Sequence, residues 1–434
     1  MSDNAAGKRP GGCVAKALAR WFTWIALVLA FAIPVSAATT ASAAASPGGP
    51  VMGYNPYYWS PGGVTEAQVL AQARLLVSTG LAKAGYGYVN LDDGWMAPAR
   101  TATGALTWNT ADFPDGIPGL AQQVHALGLK FGLYTSIGSI TCQHLPGSAG
   151  HYAQDAQTFA SWGVDFVKVD ECGVMPPTET ARATAFQQFG TALKTDNPGV
   201  VYSEELPVAY TPGSATWVAA IRASASFANM WRMTPDERPT ASPVAAAIDS
   251  HPTAGAVQAA ATPASTILSH LADDLHLHGF AGPDHWNDLD MLTGASALFG
   301  WTLTQQETQL SVWAEEASPL ILSANVATLT GAELSALKNP YLIAIDQSGK
   351  QAPTARTNGT LEALIKPYPG GGWAVMVVNT GTGRSGGKFT LAALGIPGHT
   401  VTVYNIWTAA RSHVTSLAYT LAAGRAILLR VTSP

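Results

Sequence analysis

The stretch FVKVDECG, at residues 166–173, places a lysine, an aspartate and a glutamate at the end of an apolar run. Only 12% of the chain is charged, so this concentration of charge needs an explanation. The run has the length and composition of a buried strand. Because side chains alternate along a strand, Lys168 and Asp170 point to the same face. On a buried face the two charges need each other, so they predict either a structural ion pair or a functional site.

Outward from this strand, strand-like and helix-like segments alternate from residue 51 to about residue 326. Repeated β-then-α units predict a parallel sheet, and eight of them favour a (β/α)8 TIM barrel. A doubly wound open sheet is the alternative, but it usually carries a glycine-rich phosphate loop after its first strand, and the sequence has none there. The predicted strands are VMGYNP, YVNLDDGW, KFGLYTSIG, VDFVKVDEC, VVYSEE, FANMWR, HWNDLDML and LILSANV.

The sequence pattern changes after about residue 350, where short β-rich runs alternate with turns that contain Gly, Pro, Asn and Thr. TLEALIKPYP, GGWAVMVVNT, HTVTVYNIW and GRAILLRVTS are such runs, and they predict a small antiparallel β-sandwich. We therefore predict a leader at residues 1–45, a catalytic barrel at 46–346 and a C-terminal β domain at 347–434. An alanine-rich stretch around residues 240–265 indicates a barrel insertion or a helix.

The N-terminus predicts a signal peptide and a secreted protein, extracellular or periplasmic. Basic residues precede an apolar run that ends in small-x-small cleavage sites. A membrane anchor is the alternative, but the run is short for a span and contains Pro34. Cys13 precedes the run, which leaves Cys142 and Cys172 for the mature protein. Outside the cell two cysteines favour one disulfide over two buried thiols.

The charge balance excludes nucleic acid as a partner. The net charge is −5, and no basic run follows the first twenty residues. Polar residues instead gather at the C-terminal ends of the predicted strands, which in a barrel converge on the face where active sites form. Any single carboxylate there could also be a turn or a helix cap. These residues are Asp92, Asp93, Tyr134, Lys168, Asp170, Glu204, Glu205, Arg232, Asp236, Asp288 and Asp290.

Carboxylates and aromatic residues without a phosphate loop favour sugar chemistry. Glycosidic bond cleavage needs two carboxyl groups, and flat aromatic rings cover the C–H faces of a sugar. A divalent metal site that includes His276 and His278 is a rival, but two residues at i and i+2 of a helix do not share a face. We predict no metal and no cofactor. A serine hydrolase is excluded because the sequence has no G-x-S-x-G elbow.

Six markers, in order over some 290 residues, resemble those of glycoside hydrolase family 27, the α-galactosidase family. They are MGYN, YVNLDDGW, FPDGIPGLAQQVHALGLKFGLY, TCQHLPGSAGHYAQDAQTFASWGVDFVKVDEC, WNDLDML and NPYLIAIDQ. By this resemblance Asp170 is the nucleophile, Lys168 activates it, and Asp236, four residues after Arg232, is the acid/base. The resemblance further implies four sets of sugar contacts. Asp92 and Asp93 would bind the 4- and 6-hydroxyls, and Tyr54 and Tyr134 would be aromatic walls. Glu205 and Val208 would contact the 2-substituent, and Asp290 and Met291 would lie at the rim of the site.

The resemblance also implies a disulfide between Cys142 and Cys172. The sequence departs from the family pattern at Tyr54, where the family usually has Trp, and at Gly94, which removes a second disulfide. The segment WRMTPDERP is looser than usual after the arginine, so Glu237 is the nearest substitute for Asp236.

These features predict a secreted retaining exo-glycosidase that removes terminal α-D-galactosyl residues from oligosaccharides or polysaccharides. In a double displacement the carboxyl groups of Asp170 and Asp236 are expected to stand roughly 5–5.5 Å apart. Glu205 and Val208 would fill the space that a 2-acetamido group needs, which favours galactose over N-acetylgalactosamine. A β-L-arabinopyranosidase is the second choice. A non-catalytic secreted carbohydrate-binding protein is the non-enzyme alternative.

Overall fold

The structure is a computed structural model that describes residues 48–60, 63–236, 263–275, 277, 279–295, 300–352 and 354–434. The predicted signal peptide lies outside the described residues, as do Glu237, His276, His278 and all but the end of the alanine-rich stretch. Within the described ranges, no helix is both long enough and apolar enough to cross a membrane.

Eight parallel strands form the first sheet, as the alternation of segments predicts. Their order is β7-β6-β5-β4-β3-β2-β1-β8, and β1 pairs with both β2 and β8. The circle closes just after β7, where the Leu292 amide donates to the Ile321 carbonyl at 2.7 Å and the Leu292 carbonyl accepts from the Ser323 amide at 3.0 Å. The sheet is therefore a TIM-like barrel. Its strands are β1 (Met52–Tyr54), β2 (Tyr88–Leu91), β3 (Lys130–Ser136), β4 (Phe166–Asp170), β5 (Val201–Glu204), β6 (Met230–Arg232), β7 (Trp286–Asp288) and β8 (Leu320–Leu322).

Helices cover the outside of this barrel. The predicted helix at residues 65–85 begins with a capping box between Thr65 and Gln68, but it divides in two at Gly80, whose φ of 81° is left-handed. The helices are α1 (Glu66–Ser78), α2 (Leu81–Ala84), α3 (Gly116–Ala126), α4 (Tyr152–Ser161), α5 (Glu179–Asp196), α6 (Ala215–Ser224), α7 (Pro263–Asp274), α8 (Leu303–Glu316), α9 (Gly331–Leu337) and α10 (Pro340–Asp346). Short 3-10 helices lie at Leu206–Ala209 and Val326–Thr328.

The C-terminal region is an antiparallel sandwich, also as predicted. A six-stranded sheet has the order β14-β13-β16-β11-β10-β9, and β12 pairs with β15. The strands are β9 (Thr354–Asn358), β10 (Leu361–Pro367), β11 (Trp373–Asn379), β12 (Ser385–Thr390), β13 (Val401–Asn405), β14 (Arg411–Val414), β15 (Ser416–Leu421) and β16 (Ala426–Thr432). The boundary predicted at residue 346/347 falls where α10 ends, and the domain limits remain predictions.

The six-stranded sheet is apolar on both faces, which fixes the sandwich against the barrel. In β11, Val375 and Val377 join the core of the sandwich, while Ala374, Met376 and Val378 join the core that includes the barrel. Strand residues alternate between faces, so one strand serves both cores. The barrel and the sandwich therefore share apolar packing.

Candidate active site

Asp170 is the last residue of β4, and hydrogen bonds hold both of its carboxylate oxygens. The Tyr134 hydroxyl donates to Oδ2 at 2.8 Å, and the Glu171 amide donates to Oδ1 at 2.6 Å. Tyr134 pairs with Lys168 across β3 and β4, which brings its ring to the same face. Burial raises the pKa of Asp170, while the Lys168 charge and these two donors oppose the rise. The carboxylate is thus held rigidly, with donors that favour its ionised form.

Lys168 is a buried cation between three carboxylates. Its Nζ lies 3.2 Å from Asp92 Oδ2 and 3.4 Å from Glu205 Oε1. Burial alone would lower the pKa of Lys168, but the charges of Asp92, Glu205 and Asp170 raise it well above its ordinary range. The ammonium group therefore stays charged, and it acts on Asp170 through its charge while it pairs directly with the other two.

Asp92 and Asp93 follow β2 and have different surroundings. Asp92 Oδ2 accepts from Asn55 Nδ2 at 2.6 Å in addition to its ion pair with Lys168. Asp93 accepts from the Gly94 amide at 2.8 Å and from the Gln143 amide at 2.9 Å. Burial raises the pKa of Asp93 to about 6. Both carboxylates are fixed by partners from other strands and loops.

Arg232, at the end of β6, contacts three carboxylates of the site. Its Nη1 lies 2.9 Å from Asp290 Oδ1 and 3.7 Å from Glu205 Oε1, and its Nη2 lies 3.1 Å from Asp236 Oδ1. The Asp290 side chain is completely buried, whereas that of Asp236 is 34% exposed. The guanidinium therefore ties a buried acid to one that faces solvent.

Glu205 lies between the Lys168 and Arg232 cations, and it connects the two sides of the site. Burial and the charges of Asp170 and Asp236 together raise its pKa to about 8, against the opposing charges of Lys168 and Arg232. Both aspartates are thus within electrostatic reach of one carboxyl group.

Four aromatic residues lie at the end of β1 and in the segment that follows it. Tyr54 is completely buried, and its hydroxyl accepts from Trp59 Nε1 at 2.5 Å. Tyr57 and Trp59 are half-buried, so they offer the ring surface that a ligand can reach. Lys168 Nζ lies 5.9 Å from the centre of the Tyr57 ring. Tyr58 is buried, and its hydroxyl donates to Asp290 Oδ2 at 2.7 Å.

Val208 and Met291 complete the predicted set. Val208 is half-buried in the 3-10 helix that follows Glu205, and its amide donates to the Glu205 carbonyl at 3.0 Å. Met291 is 5% exposed and directly follows Asp290. The predicted sugar-binding positions lie near the C-terminal ends of the barrel strands or in the segments that follow them, and their individual roles remain predictions.

Cys142 and Cys172 form a disulfide with a Cα–Cα distance of 5.2 Å, as predicted. It joins the loop after β3 to the loop after β4, and Cys142 Sγ lies 3.3 Å from Asp170 Oδ2. These two cysteines and Asp170 are the one converging group of metal-ligand residue types in the described ranges. Because the disulfide removes the thiolates that a metal would need, this group serves as a covalent brace beside Asp170.

Sequence reasoning did not predict the contacts by which three residues hold the site together. Asn55 fixes Asp92, the Tyr58 hydroxyl fixes Asp290, and Trp313 Nε1 donates to the Asp290 carbonyl at 2.8 Å. Tyr58 and Asp290 are 232 residues apart in the chain. Only the closure of the barrel brings such partners together, and no local pattern marks them.

Family models and individual relatives agree on where this chain belongs. A model described as alpha galactosidase A matches residues 61–348, and one described as alpha galactosidase C-terminal beta sandwich domain matches residues 358–431. A probable alpha-galactosidase A of Aspergillus fumigatus is 32% identical over 88% of this chain and 70% of its own length. Human alpha-galactosidase A is 34% identical over 73% of this chain and 68% of its own length.

The fold of a solved relative agrees as well. The crystal structure of alpha-galactosidase I from Mortierella vinacea superposes with a TM-score of 0.74 at 25% identity, over 89% of this chain and 97% of that one. The two models together span the barrel and the sandwich, and the chain belongs to glycoside hydrolase family 27, the α-galactosidase family.

Proposed function

We propose that this glycoside hydrolase removes terminal α-D-galactosyl residues by a double displacement with retention of configuration. The convergence of Asp170 and Asp236 on one face of the barrel, within electrostatic reach of Glu205, carries the proposal. The α-galactosidase names of the relatives support the choice of sugar.

In the first step Asp170 is the nucleophile. Its carboxylate attacks the anomeric carbon, a glycosyl ester forms, and the bond to the leaving group breaks. The hydrogen bonds from Tyr134 and from the Glu171 amide hold the carboxylate in one orientation. A fixed nucleophile needs less reorganisation to reach the transition state.

Asp236 gives its proton to the departing oxygen in this step. Its position at the solvent-exposed edge lets the product leave and a water molecule enter. In the second step Asp236 takes a proton from that water, the water attacks the anomeric carbon, and the Asp170 carboxylate is released. Two inversions restore the original configuration.

The surroundings of Glu205 support galactose over N-acetylgalactosamine. Glu205 caps the short 3-10 helix that contains Val208, and we assign to these two side chains the space that a 2-acetamido group would need. A free 2-hydroxyl is small enough to hydrogen-bond with the Glu205 carboxyl group. Asp92 and Asp93 then bind the hydroxyls at the other end of the ring.

We also propose that the protein is secreted. The basic segment, apolar run and small-residue cleavage sites of the N-terminus support export, and the disulfide suits an oxidising compartment. Mass spectrometry of the protein recovered from culture medium checks this, and a mature chain that keeps residues 1–30 would contradict it.

Hydrolysis of p-nitrophenyl α-D-galactoside, followed by proton NMR, tests the reaction and its stereochemistry together. We expect α-galactose as the first product, and β-galactose would exclude the double displacement. Parallel assays with the N-acetyl-α-galactosaminide and the β-L-arabinopyranoside rank the sugars. Fastest release from the N-acetylgalactosaminide would overturn the assignment of Glu205 and Val208, and binding without turnover of any of them would favour the non-catalytic alternative.

A further inference from the structure

One face of α8 holds the loop that carries Asp290. Trp313 Nε1 donates to the Asp290 carbonyl at 2.8 Å. Gln309 accepts from the Gly294 amide at 2.9 Å and donates to the Met291 carbonyl at 3.4 Å. Asp290 has a left-handed φ of 80°, which is uncommon for a residue other than glycine and persists only where its surroundings impose it. Helix α8 supplies part of that constraint.

The opposite face of α8 carries the sandwich. Arg425 donates to the Thr304 carbonyl at 2.7 Å and pairs with Glu307 at 2.9 Å. The Ala426 amide donates to Thr308 Oγ1 at 3.1 Å, and Trp407 Nε1 donates to Ser311 Oγ at 3.0 Å. The spacing of an α-helix puts residues 304, 307, 308 and 311 on one face of α8. It puts residues 309 and 313 on the opposite face. The helix thus contacts the sandwich on one side and the site loop on the other.

Lys366 of β10 fixes the C-terminal end of this helix. It is 1% exposed, and its ammonium donates to the carbonyls of Ala314 at 2.5 Å, Glu315 at 2.9 Å and Lys350 at 2.8 Å. These bonds use all three of its N–H donors. Two of the acceptors are end carbonyls of a helix, where a cation is favoured. One sandwich residue therefore sets the position of the turn that contains Trp313.

From these contacts we infer that the C-terminal sandwich positions Asp290 through α8, and through Asp290 the Arg232 guanidinium that holds Asp236. Lys366 and Trp313 are the two positioning residues of this connection, and neither touches the sugar. The inference rests on the proposed function, because it assigns the sandwich a part in orienting the proton donor. It gives the second domain a role in the reaction that does not require it to bind carbohydrate.

The connection has a chemical consequence because Arg232 is shared. Its Nη1 binds Asp290 and its Nη2 binds Asp236. If Asp290 moves away, the guanidinium charge acts on Asp236 with less competition. Asp236 then loses its proton at lower pH, and the acid form needed in the first step becomes scarcer.

The test uses the full-length protein with Lys366→Met, Trp313→Phe and both together. Lys388→Met is the matched control, since Lys388 is exposed in β12 of the same domain. Trp407→Phe is a milder variant that removes the bond to Ser311 and keeps an aromatic ring in place, in case Lys366→Met does not fold. Each folded variant is measured from pH 4 to pH 9 on a galactosyl disaccharide, whose sugar leaving group needs a proton, with active-site titration to count competent molecules.

We expect Lys366→Met and Trp313→Phe each to lower kcat/KM per titrated site by about three- to tenfold, the worth of the single Trp313–Asp290 hydrogen bond that both variants disturb. The alkaline limb of the profile should move to lower pH, and the double variant should fall little below the worse single one. Trp407→Phe should show the same shift with a smaller amplitude, and Lys388→Met should match the wild type.

A loss of competent molecules with an unchanged pH profile and additive effects would reduce Lys366 to a purely structural role and overturn the inference. So would a Trp407→Phe variant that is indistinguishable from Lys388→Met. Failure of the wild type to release galactose would instead refute the proposed function, so the two failures are distinguishable.

Discussion

The two carboxylates of the site are held in opposite ways. Asp170 ends a central strand, where a phenol and a backbone amide fix its two oxygens and a disulfide lies within van der Waals distance. Asp236 lies in the segment after β6, where Arg232 pairs with it and a third of its side chain remains exposed. One carboxylate is thus held by several fixed partners, and the other is more open to solvent.

This difference corresponds to what each group has to do. A nucleophile gains from a fixed orientation, because misplacement by a fraction of an ångström lowers the fraction of productive encounters. A group that gives up a proton and then takes one from water needs contact with water. Each prediction below tests whether the division between a fixed and an exposed half is real.

Replacement of the fixed carboxylate should have the largest effect. Asp170→Asn keeps the shape of the side chain but removes the charge that attacks the anomeric carbon. We expect kcat/KM to fall on the order of 10⁴-fold or more, with normal circular dichroism and an unchanged melting temperature within a few degrees. Near-normal turnover on p-nitrophenyl α-galactoside would remove Asp170 from the mechanism.

Replacement of the exposed carboxylate should depend on the leaving group. Asp236→Asn should lower kcat/KM by about 10²- to 10⁴-fold for a sugar leaving group, which needs a proton. The loss should be much smaller for a nitrophenolate, which leaves without one. Glu237→Gln is the matched variant, since Glu237 is the adjacent acid. If that variant instead shows the dependence on the leaving group, the proton donor is Glu237.

The same contrast explains what the sequence could predict. The Lys168–Asp170 pair lies in a strand, and the alternation of side chains along a strand places both on one face. Active sites of TIM barrels lie at the C-terminal ends of the strands, so the end of this strand is expected in the site. The barrel strands were predictable because each is a short apolar run between turns. In the sandwich, β9, β12, β14 and β15 were not predicted. The sequence of β12, SGGKFT, has two glycines and a single buried apolar residue, so its pairing with β15 depends on tertiary contacts.

The partners of the exposed half were harder to predict. Asp236 was placed through the family pattern, but Tyr58 and Trp313 reach Asp290 from β1 and α8, far away in the sequence. The resemblance implies that Tyr54 is an aromatic wall; the structure buries Tyr54 and binds its hydroxyl to Trp59 Nε1, and its role stays a prediction. An aromatic residue after a strand has the same local signature whether it faces the core or the ligand, so the sequence does not distinguish the two.

Loss of the phenol at the fixed half should have a moderate effect with a defined sign. The Tyr134 hydroxyl lowers the pKa of Asp170 by its hydrogen bond to the ionised carboxylate. Without it the pKa of Asp170 rises, so Tyr134→Phe should move the acidic limb of kcat/KM to higher pH and lower the maximum about tenfold.

Tyr152→Phe is the control for this prediction. Its hydroxyl donates to the Ile137 carbonyl at 3.0 Å and touches no carboxylate of the site. It should leave the acidic limb in place. Equal shifts of the acidic limb in the two variants would mean that the shift comes from a general loosening of the fold. The lost hydrogen bond to Asp170 would then not be the cause of the shift.

The smallest effect on activity is expected where a carboxyl group behind the fixed half already carries a proton. Glu204 is completely buried at the end of β5 and accepts from the Leu206 amide at 2.7 Å, and burial raises its pKa to about 8. Glu204→Gln is nearly isosteric with the protonated acid and keeps an acceptor for Leu206. Activity at pH 6 should therefore remain within about twofold of the wild type.

The stability of the Glu204→Gln variant should nevertheless depend on pH differently. A carboxyl group whose pKa is raised on folding binds its proton more tightly in the native state, so its contribution is full at low pH and is lost between about pH 4.5 and 8. That loss amounts to at most about 1.4 kcal/mol per pH unit for one group. Urea unfolding at pH 5, 6.5 and 8 should show a flatter decline for Glu204→Gln than for the wild type or for the exposed Glu179→Gln. Parallel declines in all three proteins would mean that Glu204 is ionised in the native state, and a buried negative charge beside Glu205 would then have to enter any account of how Asp170 is held.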